Sequence, residues 1–231
     1  MKIHTEFEQG SEQWLLARAG MVTASDLDNL VTPLWKIKEG GAVNSYLNRK
    51  LAEWFLQSPL ESFNAFAVEQ GQVLEGEAKP AYTFETGESI QNVALITNDD
   101  GTIGCSPDGL LGDDGGIEIK CPQPEKHVEY LLGGCVPKDY LAQVHGSMFI
   151  TGRKFWRFMS YRRKFPPLIV TVQRDDQIQS TIAKAVGMFL EQFQAGKARL
   201  LELNGGERPP KPATITNTPK FTWEQTGEIT P

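Results

Sequence analysis

Three residues near the middle of the chain have the types and spacing to do chemistry together: Asp108 in Ser106-Pro-Asp-Gly109, and Glu118 and Lys120 in Gly116-Ile-Glu-Ile-Lys120. Alternate side chains of a strand share a face, so Glu118 and Lys120 point one way while Ile119 points into the core. The Gly112–Gly116 turn folds the preceding strand back, and Asp108 and Glu118 lie five residues either side of its centre at Asp113. The two carboxylates therefore become neighbours across a hairpin, to within a residue of register. Opposed carboxylates repel unless a cation lies between them. Mg²⁺ suits this oxygen set, with the Ile119 carbonyl as a third protein ligand and water completing the shell. An ion held there would polarise a phosphodiester and lower the pKa of a bound water, while Lys120 stabilises the developing charge. The expected chemistry is phosphodiester hydrolysis. A plainer reading fits the same letters: Ser-Pro-Asp-Gly as a turn and Glu-x-Lys as an exposed ion pair. Glu75, on a helix before the hairpin, is a further carboxylate able to join the site.

The elements that must carry these residues follow from periodicity and punctuation. Ser11 caps a short helix ending near Gly20, and Thr23 caps a second that runs to about Val31. An amphipathic helix covers about 44–57, stopped by Pro59, and another covers about 66–84. Short β-rich runs at 90–97, 102–105, 109–111 and 116–120, separated by Asn-Asp-Asp-Gly and Gly-Asp-Asp-Gly-Gly turns, read as an antiparallel meander. Helices at about 125–132 and 138–151, strands at 154–161 and 168–173, and a long helix at 176–203 follow. This order predicts an α/β fold with one domain over residues 1–203. Residues 204–231 hold five prolines among polar residues and are expected to form a loosely ordered tail.

Composition narrows the function classes. The chain has 231 residues with 23 Lys+Arg against 29 Asp+Glu, a net charge of −6, and at 40% hydrophobic it has the apolar content for a substantial core. No apolar run reaches the length of a membrane span, and Met1–Gly10 carries Lys2, His4, Glu6 and Glu8 where a signal peptide would be apolar. A cytoplasmic protein without a membrane partner is expected. Cys105, Cys121 and Cys135 form neither an even disulfide set nor a CxxC pair, which points to reduced thiols and away from structural zinc. Neither phosphate-binding glycine motif of the nucleotide-binding folds is present. The charge is segregated: from Tyr140 to Arg174 there are seven basic residues and no acidic one, whereas Asp99–Ile119 holds six acidic residues and no basic one. The basic strip, interleaved with Phe155, Trp156, Phe158 and Tyr161, suits a polyanion track. It equally describes sheet strands with solvated cations outside.

Four blocks in order, WLLARAGMVTAS (14–25), CSPDGLL (105–111), IEIKCP (117–122) and YLAQVHGSM (140–148), make the sequence resemble the lambda-exonuclease type of phage alkaline exonuclease, the YqaJ-like viral recombinase family of PD-(D/E)xK nucleases. The resemblance covers about residues 14–173. It implies a restriction-endonuclease-like core, a central mixed sheet flanked by helices, over residues 1–203. It implies a Mg²⁺-dependent enzyme, with Mn²⁺ as a substitute, that digests one strand of double-stranded DNA from the 5′ end and leaves a 3′ overhang for recombination. In this resemblance Asp108 and Glu118, with the Ile119 carbonyl, are metal ligands, Lys120 is the catalytic lysine, and Glu75 and Gln143 are further catalytic-site residues. Arg18, Ser25 and Ser106 match the residues that hold a terminal 5′-phosphate. Trp14, Arg153, Arg157, Arg162 and Arg163 complete the expected DNA-contacting set, and loop 32–41 departs from the family: it offers no recognisable place for the family's additional basic DNA clamp, with only Lys36 and Lys38 as basic residues there. Double-stranded DNA ends, a homotrimeric ring and a single-strand annealing recombinase are the implied partners, in a bacterial host cell carrying a phage or prophage. Two alternatives stand beside this reading: a PD-(D/E)xK endonuclease, and a non-catalytic DNA-end-binding or annealing protein.

Overall fold

The computed structural model describes residues 1–60 and 65–211 of the chain. Their order is β1 (Lys2–His4), α1 (Glu12–Arg18), β2 (Val22–Thr23), a 3₁₀ helix (Ala24–Asn29), α2 (Gly41–Leu56), α3 (Ala65–Thr86), β3 (Leu95–Thr97), β4 (Ile103–Cys105), β5 (Gly109–Leu111), β6 (Gly115–Lys120), α4 (Pro124–Gly133), α5 (Lys138–Thr151), β7 (Phe155–Ser160), β8 (Leu168–Gln173) and α6 (Asp176–Leu203).

The helices begin and end for local reasons. The Ser11 hydroxyl accepts the Trp14 N–H at 3.2 Å and so caps α1. Pro124 at the first turn of α4 loses no helical bond, and Gly134 ends that helix in the left-handed region at φ 59°. Asp175 caps α6 by accepting the Gln177 and Ile178 N–H groups. Thr23 departs from expectation. Its side chain makes no cap bond, and the segment after it forms six residues of 3₁₀ helix, not a helix to Val31. The Thr23 hydroxyl pairs instead with Ser25 at 3.0 Å.

The expected antiparallel meander is corrected: its strands divide between two four-stranded sheets. In the first, ordered β1-β3-β4-β2, β3 pairs antiparallel with both β1 and β4 while β2 runs parallel to β4. In the second, ordered β5-β6-β7-β8, the β5–β6 hairpin is antiparallel, β6–β7 is parallel and β7–β8 is antiparallel. The chain leaves the first sheet at Cys105 and enters the second at Gly109, and Pro107 between them has no N–H to offer a ladder. Of the expected strand 90–97, only Leu95–Thr97 joins a sheet, and Gln91 makes an isolated bridge to Leu110. The parallel β6–β7 step is spanned by α4 and α5; with α3 on one face of β6 and α5 on the other, only Lys120 at its end reaches partial exposure.

Three apolar clusters hold these layers together. Val43 and Tyr46 of α2 pack with Ile182, Val186, Phe189 and Phe193 of α6 around Leu27 and Leu30. Val144 and Met148 of α5 join Ile96, Cys105, Leu110 and Trp156 between the sheets. Ala78 and Tyr82 of α3 cover Ile117, Ile119 and Met159 from the other side. Among the described residues no helix is long and apolar enough to cross a membrane. Of the expected tail, residues 212–231 lie outside the described residues. Its first residues touch α2: Gln57 donates to the Pro209 carbonyl at 3.0 Å, and the Arg208 guanidinium lies 5.0 Å from the centre of the Trp54 ring.

Candidate active site

The hairpin register puts the two carboxylates where the spacing says they should be. Gly109 pairs with Ile117, so the next position outward sets Asp108 opposite Glu118. Asp108 is fixed by its own backbone bond, Oδ2 accepting the Ile119 N–H at 2.5 Å. Glu118 is only 3% exposed, so its pair with Lys120 is not a surface ion pair. Its Oε1 takes two donors, the Lys120 ammonium at 2.7 Å and the Gln143 amide at 2.6 Å. Gln143 comes from α5, which packs across β4 and β7 and thereby brings a helix to the face of the hairpin. The Lys120 ammonium also lies 5.0 Å from the centre of the Tyr140 ring, one turn before Gln143.

The electrostatics are those of two carboxylates and an ammonium buried together. Burial pushes the Asp108 carboxyl well above the usual aspartate range, and the negative charges of Glu118 and Glu75 push it further, against the Ile119 N–H and Lys120. Burial works against the Lys120 ammonium, yet Glu118, by charge and hydrogen bond, with Asp108 and Tyr140, holds its pKa above that of an ordinary lysine. Glu75 is thus within electrostatic reach of Asp108, and it pairs with Lys79 at 3.8 Å on the same helix face. Among the described residues no three His, Cys, Asp or Glu side chains form a ready metal cage. The donors do fit Mg²⁺, which takes one or two carboxylates and retains several waters. Asp108, Glu118 and the Ile119 carbonyl would hold it.

Beside the carboxylates, a cavity of about 270 Å³ is lined by Gln9, Trp14, Arg18, Ala24, Ser25, Ser106, Asp108, Glu118, Gln143 and Ser147. The three residues expected to hold a terminal phosphate meet there. The Arg18 guanidinium donates to Ser106 Oγ at 3.0 Å and to Ser25 Oγ at 3.5 Å. It lies over the Trp14 ring, 4.2 Å from its centre, and the indole N–H donates to Ser106 Oγ at 2.8 Å. Trp14 therefore shelves Arg18 and steadies Ser106 at once.

The basic strip lies elsewhere. Arg153 donates to the Gly112 and Gly115 carbonyls at 2.7 Å each and braces the hairpin turn. Arg157 bonds Glu88 at 3.2 Å and Thr171. Arg162 reaches the Pro122 carbonyl at 3.3 Å, and Arg163 pairs with Glu77. None of the four lines the cavity. In loop 32–41, Thr32 and Lys36 bond through their backbones, and Trp35, at φ 56°, packs edge-on to His145.

Gln9, Tyr140 and Ser147 join the site without having been singled out from the sequence. Gln9 donates to the Val93 and Pro107 carbonyls at 3.0 and 2.8 Å and so pins the Ser106–Asp108 segment. No local pattern marks a glutamine in a polar stretch 98 residues away in the chain. Ser147 was findable, because it lies four residues after Gln143 and a helix puts both on one face.

The YqaJ-like viral recombinase domain matches residues 13–154. Two crystal structures of LHK-Exo, an alkaline exonuclease from Laribacter hongkongensis, are similar in fold and sequence. One, in complex with dAMP, is 31% identical and the other 30%. Each superposes with a TM-score of 0.74 over 84% of this chain and 98% of that one. A phage-related exonuclease from Haemophilus somnus 129PT, at 14% identity, shares the fold with a TM-score of 0.61 over 79% of this chain and 96% of its own. No curated protein sequence matches the chain. With the matched domain spanning the cavity residues from Trp14 to Ser147 and the fold of the alkaline exonucleases around them, the chain belongs to the YqaJ-like viral recombinase family.

Proposed function

We propose that this nuclease of the lambda-exonuclease type, with residues 1–203 as its nuclease domain, is a Mg²⁺-dependent 5′-to-3′ exonuclease. It digests one strand of double-stranded DNA and leaves a 3′ single-stranded overhang for phage-type recombination. The observation that carries the reading is that one cavity joins the Arg18–Ser25–Ser106 cluster to the Asp108–Glu118 pair. A terminal phosphate carries more charge than an internal diester, and a guanidinium with two hydroxyls distinguishes them.

The chain's residues divide the work. Arg18, Ser25 and Ser106 hold the terminal phosphate and set the next diester against the carboxylates. A divalent ion held by Asp108, Glu118 and the Ile119 carbonyl would polarise that diester and lower the pKa of the attacking water. Lys120 stabilises the negative charge that builds on the phosphoryl oxygens. Gln143 fixes the Glu118 carboxylate by its bond to Oε1. Water adds at phosphorus, the P–O3′ bond breaks, and the phosphate remains on the next nucleotide. Each cut thus regenerates the end group that the pocket binds, which gives direction without ATP.

Digestion of linear and closed circular duplexes, with 5′-phosphoryl or 5′-hydroxyl ends and with Mg²⁺ or EDTA, tests the reading. Loss of mass only from linear DNA with Mg²⁺, faster from phosphorylated ends, is expected. Cutting of closed circles would make the protein an endonuclease, and binding without cleavage would make it an end-binding protein.

A further inference from the structure

Helix α2 carries two buried charges that the reaction does not use. Lys50 and Glu53 are 5% and 3% exposed, on the side of the helix that also buries Val43 and Tyr46. The Lys50 ammonium lies 3.1 Å from Glu53 Oε2 and 3.2 Å from Asp26 Oδ2. Glu53 Oε2 also accepts the Gly20 N–H at 3.1 Å. Asp26 in turn accepts the Tyr46 hydroxyl at 3.3 Å and faces Arg49 at 3.4 Å.

These bonds grip one short segment at two places. Gly20 lies two residues after Arg18, and Asp26 directly follows Ser25. Between the grips run β2 and the first turn of the 3₁₀ helix. The first grip is close: Gly20 sits at φ +76°, and a Cβ there would lie 2.8 Å from Trp54 Cβ, so the backbone is pressed onto α2 beside Glu53. One ammonium shared by both carboxylates is what ties the grips to each other. Without it, Glu53 would lose its ammonium partner and Asp26 would keep Arg49, so the two grips would no longer share a cation and the segment ends would separate. Arg18 and Ser25, in contact at the edge of hydrogen-bond distance, would separate with them.

We propose that Lys50 is a positioning residue that sets the spacing of Arg18 and Ser25, and through them the selectivity for a terminal 5′-phosphate. The inference rests on the end-phosphate reading above and adds the device that tunes it. Lys50 is buried on α2 and does not line the cavity. Its effect belongs in the recognition of the end and not in the cutting step.

The test compares the full-length wild type with Lys50→Met and Lys50→Arg on linear duplexes bearing 5′-phosphoryl or 5′-hydroxyl ends, with kcat and KM measured separately. For Lys50→Met, kcat/KM on phosphorylated ends falls by about tenfold, carried by KM, while hydroxyl-ended DNA changes by less than about twofold. Lys50→Arg recovers most of the preference, and adding Arg18→Ala to Lys50→Met lowers the end-group ratio no further. A uniform loss on both ends, or an unchanged ratio, overturns the proposal and leaves the cluster a plain structural support. Where Lys50→Met does not fold, Glu53→Gln replaces it: the amide oxygen still accepts the Gly20 N–H, and the ratio is expected to shrink in the same direction. A wild type indifferent to the end group removes the end-phosphate reading and this inference together. A wild type that discriminates alongside a Lys50→Met that does so equally removes only this inference.

Discussion

Glu118 Oε1 accepts from Lys120 and Gln143 together, which orients the carboxylate before any ion arrives. Under the proposed reading, charge stabilisation falls to Lys120. Lys120→Met keeps the aliphatic stem beside Tyr140 but leaves the buried Glu118 carboxylate without its ammonium, so the melting temperature should fall, and well below it DNA binding should hold while the single-turnover rate falls by about 10²–10³-fold. Near wild-type single-turnover cleavage by this variant would remove Lys120 from the mechanism. The pair Asp108–Glu118 was legible from arithmetic on the turn, because hairpin register is a local property. The Arg18–Ser25–Ser106 cluster was not: the three residues come from separate segments, and only family resemblance linked them before the fold did. His145 is a residue-scale feature of a different kind. Its ring packs edge-on to Trp35, its Nδ1 has no partner among the described residues, and burial lowers its pKa below 6.5 against the pull of Asp175. The folded state therefore disfavours the charged ring. Its contribution is complete above about pH 6.5 and is lost as pH falls from there toward the depressed native pKa, where the unfolded chain binds more protons. The urea midpoint of the wild type should drop more between pH 7.5 and 5.5 than that of His145→Gln. Parallel pH profiles would show that His145 does not titrate out of the native state.

At the scale of elements, β6 can lie flat against β7 because two glycines open its sequence. Gly115 pairs with Phe155 and Gly116 with Trp156, and a Cβ on Gly116 would come within 2.3 Å of the Trp156 ring. Trp156 is fully buried between the sheets and has no room to retreat. Gly116→Ala should cost about 1–3 kcal/mol by overpacking, read as a lower urea midpoint with an unchanged slope. An unchanged midpoint would mean that the ring moves freely. Helices α4, α5 and α6 and the β5–β6 hairpin were readable because caps, glycines and periodicity are written within each segment. The strands β1 and β2 were not, since three and two residues carry no period, and their pairing with β3 and β4 reaches across about 80–95 residues of chain. The break at Pro107 was invisible for the same reason: the turn letters on both sides suit one sheet or two.

For the whole molecule, the segregated charge takes on a definite geometry. Of the acidic stretch, Asp108 and Glu118 line the cavity while Asp99, Asp100, Asp113 and Asp114 stay at the surface, and Arg153, Arg157 and Arg163 bond the Gly112 carbonyl, Glu88 and Glu77. Sequence pattern had placed these arginines on a DNA track or a solvated strand face; side-chain partners, which composition does not encode, bind them to their own chain. A −6 protein must confine its attraction for DNA to part of its surface, and a ring of three copies around a duplex is the assembly that the resemblance implies. Sedimentation equilibrium should give three times the 25.7 kDa chain mass at micromolar concentration, and a stable monomer there would reject the ring. The parting of the two sheets also has a metrical consequence. Ser106 belongs to the phosphate cluster and Asp108 to the carboxylate pair, and only Pro107, with its restricted φ and its carbonyl held by Gln9, stands between them. Two residues of chain span at most about 7 Å, so under the proposed reading this segment is a ruler for the strand, with the anchored end at one mark and the bond to be cut at the other. Its length, and no base recognition, would set the size of each step, and one residue inserted beside Pro107 would lengthen what is released.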